Sequence, residues 1–178
     1  MLTLIQKKYD FTDYQIAQLK YTFTILFSEL SKFLIISFFF RDCLALYLYA
    51  AVLLGILRIS TGGLHAKTYW GCLLMSLLFF YASIYLLPQI SIPKILMEVL
   101  LLGCAASFLV IGPVPSVYRT MPTDRTKKRL ITQSLITVSV QFVLFWLFNN
   151  KVFVVGSWII ILQTIQLVMA RICKEVRS

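Results

Sequence analysis

A single histidine, His65, and a cysteine seven residues beyond it, Cys72, stand in an unusually polar stretch of an otherwise apolar chain, Arg58-Ile-Ser-Thr-Gly-Gly-Leu-His-Ala-Lys-Thr-Tyr-Trp-Gly-Cys. An imidazole changes charge near cytoplasmic pH, and a thiol becomes a nucleophile once its proton is taken, so the pair suits nucleophilic catalysis with Cys72 attacking and His65 as base. If a helix begins near Tyr69, Cys72 falls in or just after its first turn, where the macrodipole and unsatisfied N–H groups favour a thiolate. Burial in lipid opposes it. In one unbroken helix residues seven apart share a face but stand about 10.5 Å apart along the axis. A working pair therefore needs a bend between them, which Gly62, Gly63 and Gly71 permit. Ser60 and Thr61 are the nearest candidates to orient the imidazole. The same residues also fit a structural reading, a cysteine packed as a small hydrophobe and a solvated histidine in a loop. One histidine with Cys43, Cys104 and Cys173 scattered elsewhere is no metal-ligand set. Neither a metal nor another cofactor is expected.

Two further groups of charge stand out. Glu29 lies within an apolar run, three residues before Lys32, where it either pairs with that lysine or serves a function inside the bundle. Arg125 and the run Lys127-Lys128-Arg129 form the basic end of a Pro-rich then basic loop, Pro113–Arg129.

The elements that must position these residues follow from composition. Of 178 residues, 60% are hydrophobic and 13% charged, with a mean hydropathy of +0.85. A soluble domain carries about twice that share of charge. Apolar runs at about 21–40, 43–60, 69–87, 95–111, 130–148 and 152–170 predict an all-α, polytopic membrane helical bundle of about six segments, forming a single domain over 1–178. The second is short, with 15 uncharged residues in Cys43–Leu57, so it either borrows its flanks or is partly re-entrant. Thr12 and Gln15 read as a capping box, starting a helix near Asp13 that leads straight into the first run. The first residues lack a signal-peptide core, so that run is expected to act as its own insertion signal.

The formal charge of +10 does not point to nucleic acid, because no basic face with interleaved aromatics exists. With six crossings and the N-terminus inside, thirteen of the 17 basic residues fall on inner segments and only Arg41, Lys94 and Lys151 outside. The positive-inside rule then places both termini, the 58–67 stretch and the 119–129 stretch in the cytoplasm, the protein in the cell membrane, and lipid around it.

Arg58, Gly62-Gly63, His65-Ala66 and Cys72 resemble the R…GG.HA……C signature of the accessory gene regulator protein B (AgrB) family. Chain length, the polar N-terminal helix, the number of apolar segments and the basic stretch resemble it too. The resemblance implies a membrane cysteine endopeptidase of quorum sensing that removes the C-terminal tail of a small precursor peptide and promotes its cyclisation. Cys72 would be the nucleophile, His65 the base, and Arg58, Gly62 and Gly63 supporting motif positions. It also implies a precursor with an amphipathic leader and an acidic tail, docking on Arg125, Lys127, Lys128 and Arg129, and a homodimer. The reading from another class is a small membrane transporter or channel for a peptide or ion, using Glu29, Gln133 and Gln141.

Overall fold

The computed structural model describes residues 13–63, 68–114, 123–148 and 150–175. Among them the backbone is helical, with no strand beyond one isolated bridge between Gly62 and Val114. The chain divides into two compact units, Met1–Arg41 and Asp42–Ser178.

The first unit carries helix α1, Asp13–Phe39, which enters the first apolar run without a break, as expected. Thr12 of the anticipated capping box lies outside the described residues.

A 3₁₀ turn, Arg41–Cys43, follows at the boundary in the chain and leads into the first helix of the second unit, α2, Leu44–Thr61. Together they give 21 residues long and apolar enough to cross a membrane. The short second segment thus borrows residues at both ends, Arg58 included, and reaches the length a crossing needs. Helix α3, Tyr69–Tyr81, continues through a π turn at Ala82–Leu86 and a 3₁₀ turn at Leu87–Gln89, where Pro88 cannot extend the α-helical ladder. Helix α4 is Lys94–Ile111, α5 is Asp124–Phe148 and α6 is Lys151–Glu175. The basic run 125–129 therefore belongs to the first turns of α5, where the sequence suggests a loop.

Helix α6 is the hub of this unit, packing against α2, α4, α5 and the π turn. Half of its apolar window is buried, against 22–33% for the other spans. The polarity of the unit is inside out. Ile95 and Val110 are 75% and 86% exposed, whereas Gln141, Gln163, Ser83 and Ser157 are at most 1% exposed. Water would not tolerate that arrangement, but hydrocarbon demands it: apolar side chains face the tails, and polar groups find partners between helices. Gln141 shows how. Its Nε2 donates to the Phe153 carbonyl at 2.8 Å, its Oε1 accepts from the Tyr49 hydroxyl, and Gly156 leaves the room it occupies. At the far end of α5, Lys94 Nζ donates to the Trp146 carbonyl at 2.8 Å and lies over the indole, closing a helix end at the level of an interface.

Candidate active site

The site forms where α2 ends and α3 begins. Helix α2 closes on Gly62, whose N–H donates to the Arg58 carbonyl at 3.0 Å, with φ at +79°. Gly63 follows at φ +155°. Both values lie where a side chain is strained, which is what the paired glycines supply. The turn is pinned from α4: Val114 N–H donates to the Thr61 carbonyl at 3.0 Å, and a Cβ on Gly62 would stand 2.2 Å from the Val114 carbonyl oxygen.

Helix α3 starts with Thr68 as its N-cap. The residue is extended at φ −112°, ψ 151°, and its hydroxyl accepts from the Gly71 N–H at 3.2 Å. Cys72 N–H in turn donates to the Thr68 carbonyl at 3.0 Å, so the thiol sits in the first turn of α3, half-buried. Because Thr68 is not helical, no continuous helix joins positions 65 and 72. His65 lies outside the described residues, as do Ala66 and Lys67.

Arg58 ties this end together. Its Nη2 donates to Gln166 Oε1 of α6 at 3.4 Å, and its guanidinium lies 5.9 Å from the centre of the Phe79 ring on α3. Phe79 is seven residues beyond Cys72, so the ring that meets Arg58 and the thiol share one face of α3.

Two glutamines of α6 complete the surroundings. Gln163 Nε2 donates to Thr61 Oγ1 at 3.0 Å and to the Gly62 carbonyl at 2.7 Å, and Gln166 receives Arg58. Polar residues three apart inside an apolar run were visible in the sequence, but nothing in their spacing tied them to residue 62. Ser60 and Thr61, the sequence candidates for orienting the base, are already engaged: Ser60 Oγ donates to the Ile56 and Leu57 carbonyls, and Thr61 Oγ1 to the Leu57 carbonyl at 2.8 Å.

The basic cluster stands at this same end. Arg125, Lys127, Lys128 and Arg129 are all exposed on α5. The Lys127 stem lies over Gly112, two residues before Val114, which joins the cluster to the pinned turn. Arg129 opens a depression of about 470 Å³ that continues down α5 past Thr132, Gln133, Ile136 and Thr137. Glu29, in the first unit, forms an ion pair with Lys32. No group of three potential metal ligands occurs among the described residues.

Known proteins resemble this chain along most of its length. The family model described as Accessory gene regulator B matches residues 1–167. A protein of Clostridium beijerinckii named "Putative AgrB-like protein" is 32% identical over an alignment of 137 residues that covers 74% of this chain and 66%, just under two thirds, of that relative's length. No solved structure matches.

Proposed function

Because the chain belongs to the accessory gene regulator B family, matched over residues 1–167, we propose that it is a membrane-embedded cysteine endopeptidase of that system, acting on a small quorum-sensing precursor peptide. The observation that carries the reading is Cys72 in the first turn of α3, sharing a helix face with the Phe79 ring that meets Arg58, while α2 ends at the Gly62-Gly63 turn from which the chain runs on to His65.

The chemistry these residues would perform is acyl transfer. His65 takes the Cys72 proton, the thiolate adds to the carbonyl preceding the precursor's C-terminal tail, and the imidazolium gives its proton to the departing amine. The peptide is then held as a thioester on Cys72. A cysteine or serine side chain within it attacks the acyl carbon, closes a thiolactone or lactone ring and returns the thiol. Ring closure competes with hydrolysis, so the site must limit water, and a pocket bordered by lipid does so.

An acidic tail would meet the exposed cations at the start of α5, and an amphipathic leader the apolar outer faces. Six crossings would put thirteen basic residues on one side, which favours that side, with both termini, as cytoplasmic. A homodimer is the assembly the family implies.

Cys72→Ser and Cys72→Ala test the reading in membranes that also contain the precursor. Cleavage is expected to stop while the protein still accumulates; a tail removed as fast as by the parent protein would refute the peptidase.

A further inference from the structure

Of the four glutamines in α5 and α6, three are engaged between helices. Gln141 bonds to Phe153, Gln163 to Gly62 and Gln166 to Arg58. Gln133 differs: among the described residues no hydrogen bond reaches its half-buried side-chain amide. Four residues before it stands Arg129, exposed and with no carboxylate beside it among the described residues. Both line the depression of about 470 Å³, together with Thr132, Ile136 and Thr137. An amide that faces hydrocarbon without a partner is costly, so a polar residue in that position is by default a functional one.

Helical register divides the basic cluster between two sides of α5. Arg125, Arg129, Thr132, Gln133, Ile136 and Val140 fall within an arc of about 100°, opposite the buried stripe of Ser134, Val138, Gln141 and Phe145. Lys127 lies on the side of that stripe, with its stem over Gly112. Down the outer side the chemistry changes in a fixed order: guanidinium groups first, the Gln133 amide about 6 Å further along the axis, then Ile136, Val140, Val143 and Leu147, all exposed. The polar zone of one leaflet is about 5–8 Å deep, and a phospholipid presents phosphate, ester carbonyl and acyl chain through it in the same order. A guanidinium pairs with phosphate, and an amide N–H with an ester carbonyl. An acidic peptide calls only for the cations. Charge asymmetry between the two ends of the bundle accounts for the arginines but not for Gln133.

We propose that Arg129 and Gln133 form a site for one anionic phospholipid of the leaflet at the basic end, with the phosphate on Arg129, an ester carbonyl accepting from the Gln133 amide, and an acyl chain along Ile136 and Val140. The site depends only on α5 crossing a membrane and stands whether or not Cys72 is a nucleophile.

The test is native mass spectrometry of the detergent-purified full chain, titrated with phosphatidylglycerol and, separately, with zwitterionic phosphatidylcholine. The first phosphatidylglycerol should bind about tenfold more tightly than phosphatidylcholine, and Arg129→Gln should abolish that preference. Gln133→Leu leaves the charge unchanged and makes the outer side more apolar, so electrostatics and folding are both preserved. It should nevertheless weaken phosphatidylglycerol severalfold. Lys127→Gln removes a charge from the other side of the same helix and should change the affinity less than twofold.

Parental affinity in Gln133→Leu would overturn the site. So would equal weakening by Lys127→Gln and Arg129→Gln, which would reduce the effect to surface charge at large. Displacement of the bound lipid by inorganic phosphate would make this a free-anion site, and a glutamate-rich peptide that excludes the lipid with the same dependence on Gln133 would assign the depression to a peptide; either ends the lipid assignment. If Gln133→Leu fails to accumulate as a monodisperse protein, Gln133→Glu decides. Its carboxylate repels the phosphate, so the preference for phosphatidylglycerol should vanish, and a preference that persists would equally refute the site.

Discussion

A methyl group added at Gly62 would meet the Val114 carbonyl oxygen at 2.2 Å on a backbone with φ +79°. Steric overlap and backbone strain act together there, each on the order of 1–3 kcal/mol. Gly62→Ala is therefore expected to lower the thermal midpoint in detergent and to cut precursor cleavage more than tenfold. Gly55→Ala is the matched control: nothing lies within 4 Å of the added atom, and alanine is a better helix former by about 1 kcal/mol. It should be neutral or stabilising by the same measurement, with cleavage unchanged. A second strained fit belongs to the interior. At Gly156 the added carbon would stand 2.6 Å from Gln141 Nε2. Gly156→Ala must displace that amide from Tyr49 and from the Phe153 carbonyl, leaving buried groups without partners, at about 1–3 kcal/mol each. The expected outcome is a lower unfolding midpoint with the chemistry of Cys72 intact, read as unchanged alkylation kinetics at temperatures well below the transition.

At the scale of the element, the start of α5 is electrostatically inverted. Arg125, Lys127, Lys128 and Arg129 crowd the positive end of the helix macrodipole, where only Asp124 has the favourable sign. Each misplaced cation costs a few tenths of a kcal/mol up to about 1 kcal/mol, so helix stability does not explain the cluster. Topology does, and so would the proposed docking of an acidic tail. The combined change Lys127→Gln, Lys128→Gln, Arg129→Gln should leave the helix as stable or more so by circular dichroism. Processing of an acidic-tailed precursor should fall about tenfold and lose most of its dependence on ionic strength. Equal cleavage by the two forms at low salt would remove the docking role.

How much of these elements could be read in advance varied with how local their causes are. The apolar runs follow from composition within a few residues. The 21-residue second span depended on Arg41, Asp42 and Arg58 entering a helix despite their charge, which a count of uncharged residues misses. The π turn at Ala82–Leu86 has no local signature. The start of α5 hid behind its charges, because Lys and Arg are good helix formers that also mark loops. At the site, the Arg58–Cys72 motif was legible as residues, but Gln163 lies 101 residues beyond Gly62. Only packing of α6 against α2 brings them together.

For the whole molecule, the distribution of charge can be compared with the direction of the helices. The C-termini of α2 and α4 meet at the Gly62–Val114 bridge, and the Lys127 stem over Gly112 brings the start of α5 to the same end. Connectivity adds the start of α3 and the end of α6. That end carries Arg58, Arg125, Lys127, Lys128, Arg129 and Arg171, whereas the opposite end carries Lys94 and Lys151. Under the positive-inside rule such an asymmetry favours the rich end in the cytoplasm, which is where Cys72 would have to lie to meet a newly made precursor under the proposed function. Single cysteines at Gln89 and Asn150, in a background lacking the native four, should react with a membrane-impermeant maleimide added to intact cells. A cysteine at Arg125 should react only after the membrane is opened. The opposite pattern would put the thiol outside the cell and turn the basic cluster away from any cytoplasmic peptide. The orientation experiment therefore bears on the docking reading as directly as mutation of the cluster does.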